Sequence, residues 1–281
     1  MAAEEMRGAR APIGVFDSGI GGLTVVRALR QRLPDEDIIY FGDTARVPYG
    51  SKSAETIARF ALEDASFLLD RGVKLVVVAC HSAASAALAE LGRRLPVPVV
   101  GVLEPGARAL VRATRRNRVG VIGTRATIVA GAYERAVRRL APGIELLARP
   151  TPLFVPLAEE GWVEGEVPAR VAHRYLDSFR EEGVDALLLG CTHFPLLAGV
   201  IGEALGPGVR VVDASEETAA EVAAVLADRG LVAPGGPGRL RCYLSDFAPE
   251  FEALAARFLG GPAGELFRAT PGGGENATAE D

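Results

Sequence analysis

Two short stretches of this sequence repeat one pattern, an apolar run that ends in a cysteine. Residues 74–83 read Lys-Leu-Val-Val-Val-Ala-Cys-His-Ser-Ala, and residues 185–194 read Asp-Ala-Leu-Leu-Leu-Gly-Cys-Thr-His-Phe. A short run that is apolar at every position is typical of a parallel β-strand buried on both faces. Cys80 and Cys191 are therefore expected at the carboxyl ends of central strands, where open α/β sheets bind their ligands.

The residues after Cys80 predict that its thiol is activated. Ser82 to Leu91 are rich in Ala and Ser, which predicts a helix that begins beside the sulfur. A helix amino terminus favours the thiolate and lowers the pKa of a cysteine below its free value of about 8.5. We therefore expect two activated thiols, one at each strand end.

The whole chain repeats in the same way, since strand and helix alternate through two matching halves. Val119–Thr124 resembles Ile13–Ser18 at an offset of 106 residues, and the cysteine strands are offset by 111. Such a repeat predicts an α/β fold of two pseudo-symmetric, doubly wound domains, whose mainly parallel sheets face a shared cleft. The further predicted strands are Ile38–Phe41, Val97–Val102, Ile144–Leu147, Val209–Val212 and Leu240–Leu244, and the predicted helices are Leu23–Arg32, Ala54–Arg71, Ile128–Leu140, Val167–Glu182 and Glu216–Leu226.

The domain division follows from the end of the second half near Asp213. Residues 1–104 together with 214–281 form the expected first domain, on the Cys80 side, and residues 105–213 form the second, on the Cys191 side. Met1–Ala11 and Pro271–Asp281 are predicted to be disordered, because they are polar or glycine-rich and lack apolar periodicity.

Composition restricts the partners of this chain. The net charge of −5 argues against nucleic acid as a partner, and no apolar run approaches the roughly 18 residues that span a membrane. The amino terminus lacks the apolar core of a secretory signal. Three cysteines, two of them at strand ends, suit chemistry in a reducing cytoplasm better than disulfide bonding.

Two thiols on opposite walls of one cleft suit stereoinversion at carbon. One thiolate removes a proton, and the opposite thiol returns a proton to the far face. Developing carbanion charge needs positioned donors, which the turn Ser18–Gly22 and the hydroxyls of Ser82, Thr124 and Thr192 can supply. Asp17 and His193 are candidates to assist or orient one thiol each.

Two other readings compete with this one. Cys80, His81, Cys191 and His193 together are the ligand types of a tetrahedral zinc site, but the pairs lack the usual ligand spacing, so we predict no metal. A two-lobed binding protein would also have a cleft. Such a protein has no use for two reactive thiols, which favours the enzyme.

Three motifs are highly similar to those of the glutamate racemase family, within the aspartate/glutamate racemase superfamily. Residues 16–25 read Phe-Asp-Ser-Gly-Ile-Gly-Gly-Leu-Thr-Val, residues 40–50 read Tyr-Phe-Gly-Asp-Thr-Ala-Arg-Val-Pro-Tyr-Gly, and residues 189–196 read Leu-Gly-Cys-Thr-His-Phe-Pro-Leu. The resemblance extends over roughly residues 13–225. It implies a racemase without cofactor that converts L-glutamate to D-glutamate for peptidoglycan synthesis, and we expect a homodimer.

The resemblance also implies roles for individual residues. Cys80 and Cys191 match the two acid/base thiols, with Asp17 and His193 as further catalytic residues. The residues that match substrate-binding positions are Asp17, Ser18, Tyr49, Gly50, His81, Ser82, Thr192 and His193, and those expected to assist are Asp43, Glu159 and Thr124.

One position departs from the family pattern. The family has Cys-Asn-Thr-Ala at the first thiol, whereas this chain has Cys80-His81-Ser82-Ala83. Ser keeps the hydroxyl, and an imidazole N–H can replace an amide donor, so we expect activity to survive. His81 also keeps open the alternative that the substrate is aspartate or a hydantoin.

Overall fold

Strands and helices alternate along the chain in the computed structural model, which describes residues 8–247, 251–263 and 265–270. The strands are β1 (Ile13–Asp17), β2 (Ile38–Gly42), β3 (Leu75–Val78), β4 (Val99–Gly101), β5 (Arg118–Gly123), β6 (Glu145–Pro150), β7 (Ala186–Gly190), β8 (Arg210–Val212), β9 (Leu240–Leu244) and β10 (Glu265–Arg268). The α-helices are α1 (Leu23–Arg32), α2 (Ala54–Leu69), α3 (His81–Arg94), α4 (Leu103–Ala113), α5 (Arg125–Val129), α6 (Ala132–Leu140), α7 (Phe154–Glu159), α8 (Glu166–Glu181), α9 (Ala198–Leu205), α10 (Ser215–Asp228) and α11 (Phe251–Leu259). Short 3₁₀ helices cover Thr44–Arg46, Tyr49–Ser51 and Phe194–Leu197.

The strands form two sheets in which every pair is parallel. The first sheet has the order β10-β9-β2-β1-β3-β4, and the second has the order β6-β5-β7-β8. The predicted α/β class with parallel sheets is therefore confirmed. The order β2-β1-β3-β4 recurs as β6-β5-β7-β8, so the two halves share one topology.

The central strands β3 and β7 are buried along their whole length because they contain only apolar residues and glycine. Each residue of β3 and of β7 is buried, as is each residue of β1. The carboxyl ends of β1 and β3 in one sheet, and of β5 and β7 in the other, carry the residues of one cavity. The strands β9 and β10 return to the first sheet beside β2.

Several elements differ from those predicted. The predicted helix Ile128–Leu140 is two helices, α5 and α6, because Gly131 adopts a left-handed conformation with φ of 62° between them. The helices α4, α7 and α9 and the strand β10 were not predicted. The strand β10 lies at the edge of its sheet and is only partly buried, so its apolar signal in the sequence is weak.

The prediction of a disordered leader was wrong for residues 8–10, which are helical. Ala9 is buried, and its carbonyl oxygen accepts a hydrogen bond of 2.6 Å from Lys74 Nζ. Lys74 also pairs with Glu36, and both side chains are buried. Residues 1–7 and the predicted disordered tail, Pro271–Asp281, lie outside the described residues. Within the described ranges, none of the helices has both the length and the hydrophobicity that a membrane crossing needs.

Candidate active site

A cavity of about 310 Å³ lies where the two halves meet. Both predicted thiols, Cys80 and Cys191, line it. The other predicted residues that line it are Ser18, Tyr49, Gly50, His81, Ser82, Thr124, Glu159, Thr192 and His193. Asp17 and Asp43 are fully buried and do not line it. The structure therefore brings both cysteine motifs to one cavity.

Cys80 joins the end of β3 to the start of α3. Its side chain is 5% exposed, and Sγ lies 3.6 Å from Ser18 Oγ. Burial, together with the nearby Asp17 carboxylate, raises the pKa of Cys80 to about 12. The backbone N–H of Ala83, in the first turn of the helix, lowers the pKa by a smaller amount. The expectation of an activated thiol at Cys80 was therefore wrong for the free protein, because desolvation of the thiolate outweighs the helix terminus.

Cys191 has a different neighbour. His193 Nδ1 lies 3.8 Å from Cys191 Sγ, and His193 Nε2 lies 3.1 Å from Glu159 Oε1. Burial alone would lower the pKa of His193, but its contacts with the Cys191 sulfur and the Glu159 carboxylate raise it to about 10. The ring is therefore an imidazolium at pH 7, placed between a sulfur and a carboxylate.

The glycine-rich turn after β1 packs directly on the Cys191 motif. A Cβ added at Gly21 would lie 2.3 Å from Thr192 Oγ1 and 2.5 Å from His193 Nδ1, so only glycine allows this approach. Asp17 Oδ2 accepts a hydrogen bond of 3.1 Å from Gly19 N, and Asp17 Oδ1 lies 3.4 Å from Thr192 Oγ1. Burial raises the pKa of Asp17. Asp17 thus supports the turn and Thr192 from behind the cavity wall.

The Tyr49–Gly50 segment contacts the second half at Thr124. A Cβ added at Gly50 would lie 2.6 Å from Thr124 Cβ. The Tyr49 hydroxyl lies within hydrogen-bond distance of the Asp43 carboxylate and 2.9 Å from Asp64 Oδ2. Arg46 pairs with the same two carboxylates, at 2.6 Å and 2.9 Å. Asp43 and the Tyr49 hydroxyl therefore anchor this segment, and residues 49–51 line the cavity.

Hydroxyl groups from both halves meet beside His81. Ser82 Oγ lies 2.9 Å from Thr124 Oγ1 and 3.2 Å from Thr127 Oγ1. Thr124 also caps α5, since its Oγ1 accepts a hydrogen bond of 3.2 Å from Thr127 N. These contacts join the start of α3 to the start of α5.

The four residues considered as zinc ligands do not form one cluster. They are Cys80, His81, Cys191 and His193. His81 Nδ1 is bonded to Tyr133, whereas His193 faces Cys191 and Glu159. Over the ranges that the structure describes, no three His, Cys, Asp or Glu side chains are placed to hold a metal ion.

Arg125 is a functional candidate that the sequence reasoning missed. It follows Thr124 at the end of β5, is exposed, and is the only Arg or Lys among the described residues that line the cavity. Within the described chain it forms no ion pair. Its position directly after a predicted donor at a strand end is the signal that could have identified it. An unpaired guanidinium at the rim suits an anionic ligand.

Comparisons with known proteins give concordant results. Residues 23–222 match the family model described as Asp/Glu/Hydantoin racemase. The chain is 52% identical over 257 residues to a glutamate racemase of Geobacter metallireducens, covering 91% of this chain and 95% of that one.

Two solved structures are also similar. The glutamate racemase of Francisella tularensis, in complex with D-glutamate, superimposes with a TM-score of 0.89 at 38% identity, covering 93% of this chain and 98% of that chain. The glutamate racemase of Thermus thermophilus, in complex with beta-chloro-D-alanine, gives a TM-score of 0.85 at 50% identity, with the same coverage.

Proposed function

This chain belongs to the Asp/Glu/hydantoin racemase family and is an amino-acid racemase, and from that premise we propose that it interconverts L- and D-glutamate by proton transfer through two cysteines. The observation that carries this proposal is the placement of Cys80 and Cys191 at equivalent strand ends, both lining one cavity. The similarity to glutamate racemases over about nine-tenths of the chain supports glutamate as the substrate.

The proposed reaction moves two protons. A thiolate at one wall takes the α-proton of glutamate, so that an S–H bond forms and a carbanion is left at Cα. The thiol at the other wall gives its proton to the opposite face of that carbon, its S–H bond breaks, and it becomes a thiolate. The product has inverted configuration, and the two sulfurs have exchanged protonation states.

In the free enzyme we assign the base to Cys191 and the acid to Cys80. The His193 imidazolium at 3.8 Å is a charge partner for a thiolate at Cys191. Among the described residues, Cys80 has no cationic partner. Its pKa, raised to about 12, keeps the thiol protonated until the carbanion forms. The first enantiomer to react is therefore the one whose α-hydrogen faces Cys191.

Substrate binding requires donors for two carboxylates, and we assign these to the residues around the cavity. Ser18, Ser82 and Thr192, which carry hydroxyls, and the segment of Tyr49 and Gly50 all line the cavity. Such donors also stabilise the charge that develops on the α-carboxylate as the proton leaves.

The biological setting extends this proposal. Both thiols must stay reduced, which suits the cytoplasm. The resemblance implies that D-glutamate supplies peptidoglycan synthesis, and disruption of the gene should then make growth depend on added D-glutamate. The reaction as written needs no cofactor. The expected homodimer stays a prediction.

Proton NMR in D₂O tests the reaction directly. The protein is incubated with L-glutamate and a chelator, without pyridoxal phosphate. Loss of the α-proton signal, together with D-glutamate that carries deuterium at Cα, is the expected result. At early conversion the recovered L-glutamate should still carry hydrogen, because in a two-base mechanism the solvent deuterium enters only the product.

Other outcomes of the same experiment would change the proposal. Deuterium in both enantiomers at early conversion would indicate a single base. Exchange with L-aspartate but not with L-glutamate would keep the mechanism and change the substrate. Cys80→Ser and Cys191→Ser should each lower the rate by at least about a thousandfold, since a hydroxyl is a far weaker base. Full activity in Cys191→Ser would exclude the two-thiol mechanism.

A further inference from the structure

A hydrogen bond between His81 and Tyr133 joins the two halves beside the cavity. His81 is the first residue of α3, which follows Cys80, and Tyr133 lies in α6 of the second half. His81 Nδ1 and the Tyr133 hydroxyl are 2.7 Å apart. The two side chains are 5% and 2% exposed, so water does not compete for this bond.

Both groups are neutral at pH 7. Burial lowers the pKa of His81 to about 3, so its imidazole carries one N–H and one lone pair. Burial also raises the pKa of Tyr133, so the hydroxyl keeps its proton. The remaining question is which ring nitrogen of His81 holds its proton.

The surroundings of the Tyr133 hydroxyl decide the tautomer. If His81 Nδ1 held the proton and donated it, the Tyr133 O–H would need a second acceptor, and the described residues offer none. A buried donor without a partner disfavours that arrangement by roughly tenfold to a hundredfold. Tyr133 therefore donates to Nδ1, and the proton of His81 is on Nε2.

His81 Nε2 is directed to the cavity. The side chain lines the cavity, and no described residue is hydrogen-bonded to Nε2. Nε2 has no hydrogen-bond partner in the described chain, but it is not fully buried. It is therefore accessible from the cavity. An N–H at this atom is therefore a hydrogen-bond donor that a ligand in the cavity can pair with.

We propose that Tyr133 is a positioning residue that fixes His81 as an Nε2–H donor, and that this N–H binds a carboxylate oxygen of the substrate. The identity of that carboxylate as glutamate rests on the proposed function. A neutral imidazole at this point donates a hydrogen bond without adding the acidic second proton of an imidazolium beside Cys80. The structure thus explains how a histidine performs the role of an amide donor at this position.

Nitrogen-15 NMR of the histidine rings tests the tautomer. The chain has three histidines, so His173→Asn and His81→Asn complete the assignment. Between pH 6 and 8, His81 should show a protonated Nε2 and an unprotonated Nδ1. A proton on Nδ1, or an imidazolium, would overturn the proposal. Tyr133→Phe should remove the preference for the Nε2–H form, and an unchanged spectrum would also refute it.

Kinetics test the role of that donor. Tyr133→Phe should raise the KM for glutamate about 3- to 10-fold and change kcat by less than about twofold, as expected for an interaction made equally in the ground and transition states. In a His81→Asn background, Tyr133→Phe should leave KM unchanged, because the hydroxyl then has no imidazole to orient. Tyr175→Phe, which removes a hydroxyl from α8, is the matched control and should behave as wild type.

The two readouts separate this inference from the proposed function. If glutamate does not react but the His81 tautomer is as stated, the substrate assignment fails and the donor remains. If glutamate reacts and the KM of Tyr133→Phe equals that of wild type, Tyr133 has no positioning role. An equal loss in Tyr133→Phe with and without His81→Asn would indicate a purely structural role and would refute the proposal.

Discussion

The two thiols should differ in their reactivity toward iodoacetamide, although they occupy equivalent places in the repeat. Cys80 is buried beside the Asp17 carboxylate, which keeps it protonated, whereas Cys191 has the His193 imidazolium at 3.8 Å. Alkylation requires the thiolate, so the reaction of each cysteine reports its charge partner. We expect Cys191 to react faster than Cys80.

The rate at Cys80 follows from its environment. A rise in pKa from an ordinary value of 9 to about 12 lowers the thiolate fraction at pH 8 by roughly a thousandfold. The thiolate of a weaker acid is the better nucleophile, and this raises the rate constant of the thiolate by a factor of about 15 to 30. The net expectation is alkylation about 30- to 60-fold slower than at a free cysteine, and burial slows it further. The rate should rise about tenfold for each pH unit, without a plateau below pH 10.

Mass spectrometry can follow each cysteine separately. Trypsin cuts after Lys and Arg, so Cys80, Cys191 and Cys242 fall in the separate peptides 75–93, 181–210 and 242–257. Cys242 is fully buried and serves as the slow reference. In urea all three should react at the rate of an unfolded chain.

Replacement of the imidazolium tests the cause of the difference. His193→Asn should slow alkylation of Cys191 by at least about tenfold and leave Cys80 unchanged, because only Cys191 loses its cation. His173→Asn removes a histidine whose ring is exposed and bonded to Asp177, and it should have no effect. Equal rates at Cys80 and Cys191 in the native wild-type protein would refute the assignment of base and acid.

Three further predictions concern two residues at the cavity and one buried ion pair. Gly21→Ala places a Cβ 2.3 Å from Thr192 Oγ1 and should lower kcat/KM at least about tenfold, whereas Gly199→Ala, with open space around it, should be neutral in the same racemisation assay. Arg125→Gln should raise the KM for glutamate about 2- to 5-fold and make it less sensitive to salt, with kcat unchanged, in kinetics at two ionic strengths. Lys74→Met breaks a buried ion pair far from the cavity and should lower the free energy of unfolding by about 3–5 kcal/mol in urea titrations, without loss of activity in the folded fraction.

The sequence predicted the scaffold well, because its signals are local. Runs that are apolar at every position can satisfy burial on both faces only as central parallel strands, so β3 and β7 were recognisable before the structure. The repeat then predicted that both cysteines face one cavity. Partly buried edge strands such as β10 have a weaker hydrophobic pattern, and β10 was not predicted.

The interactions that decide chemistry were less predictable, since their partners are distant in the sequence. Ser245 bonds to Asp43 across 202 residues, and Tyr133 bonds to His81 across 52. No local sequence pattern predicts such hydrogen-bonded pairs, because they form only when separate elements pack together. The burial of Asp43 outside the cavity and the contact between His81 and Tyr133 could therefore not be predicted from the sequence.

A shift of one position explains why two like motifs give unlike thiols. When the cysteines are aligned, His81 falls opposite Thr192, and Ser82 falls opposite His193. The histidine directly after the first cysteine points across to Tyr133 and stays neutral, whereas the histidine two residues after the second cysteine reaches its sulfur and is charged. A symmetric pair of thiolates in one buried space would repel each other, and neither could deliver a proton. The duplicated fold thus brings two sulfurs to one cavity, and the displaced histidine supports the proposed assignment of Cys191 as the base and Cys80 as the acid in the free enzyme.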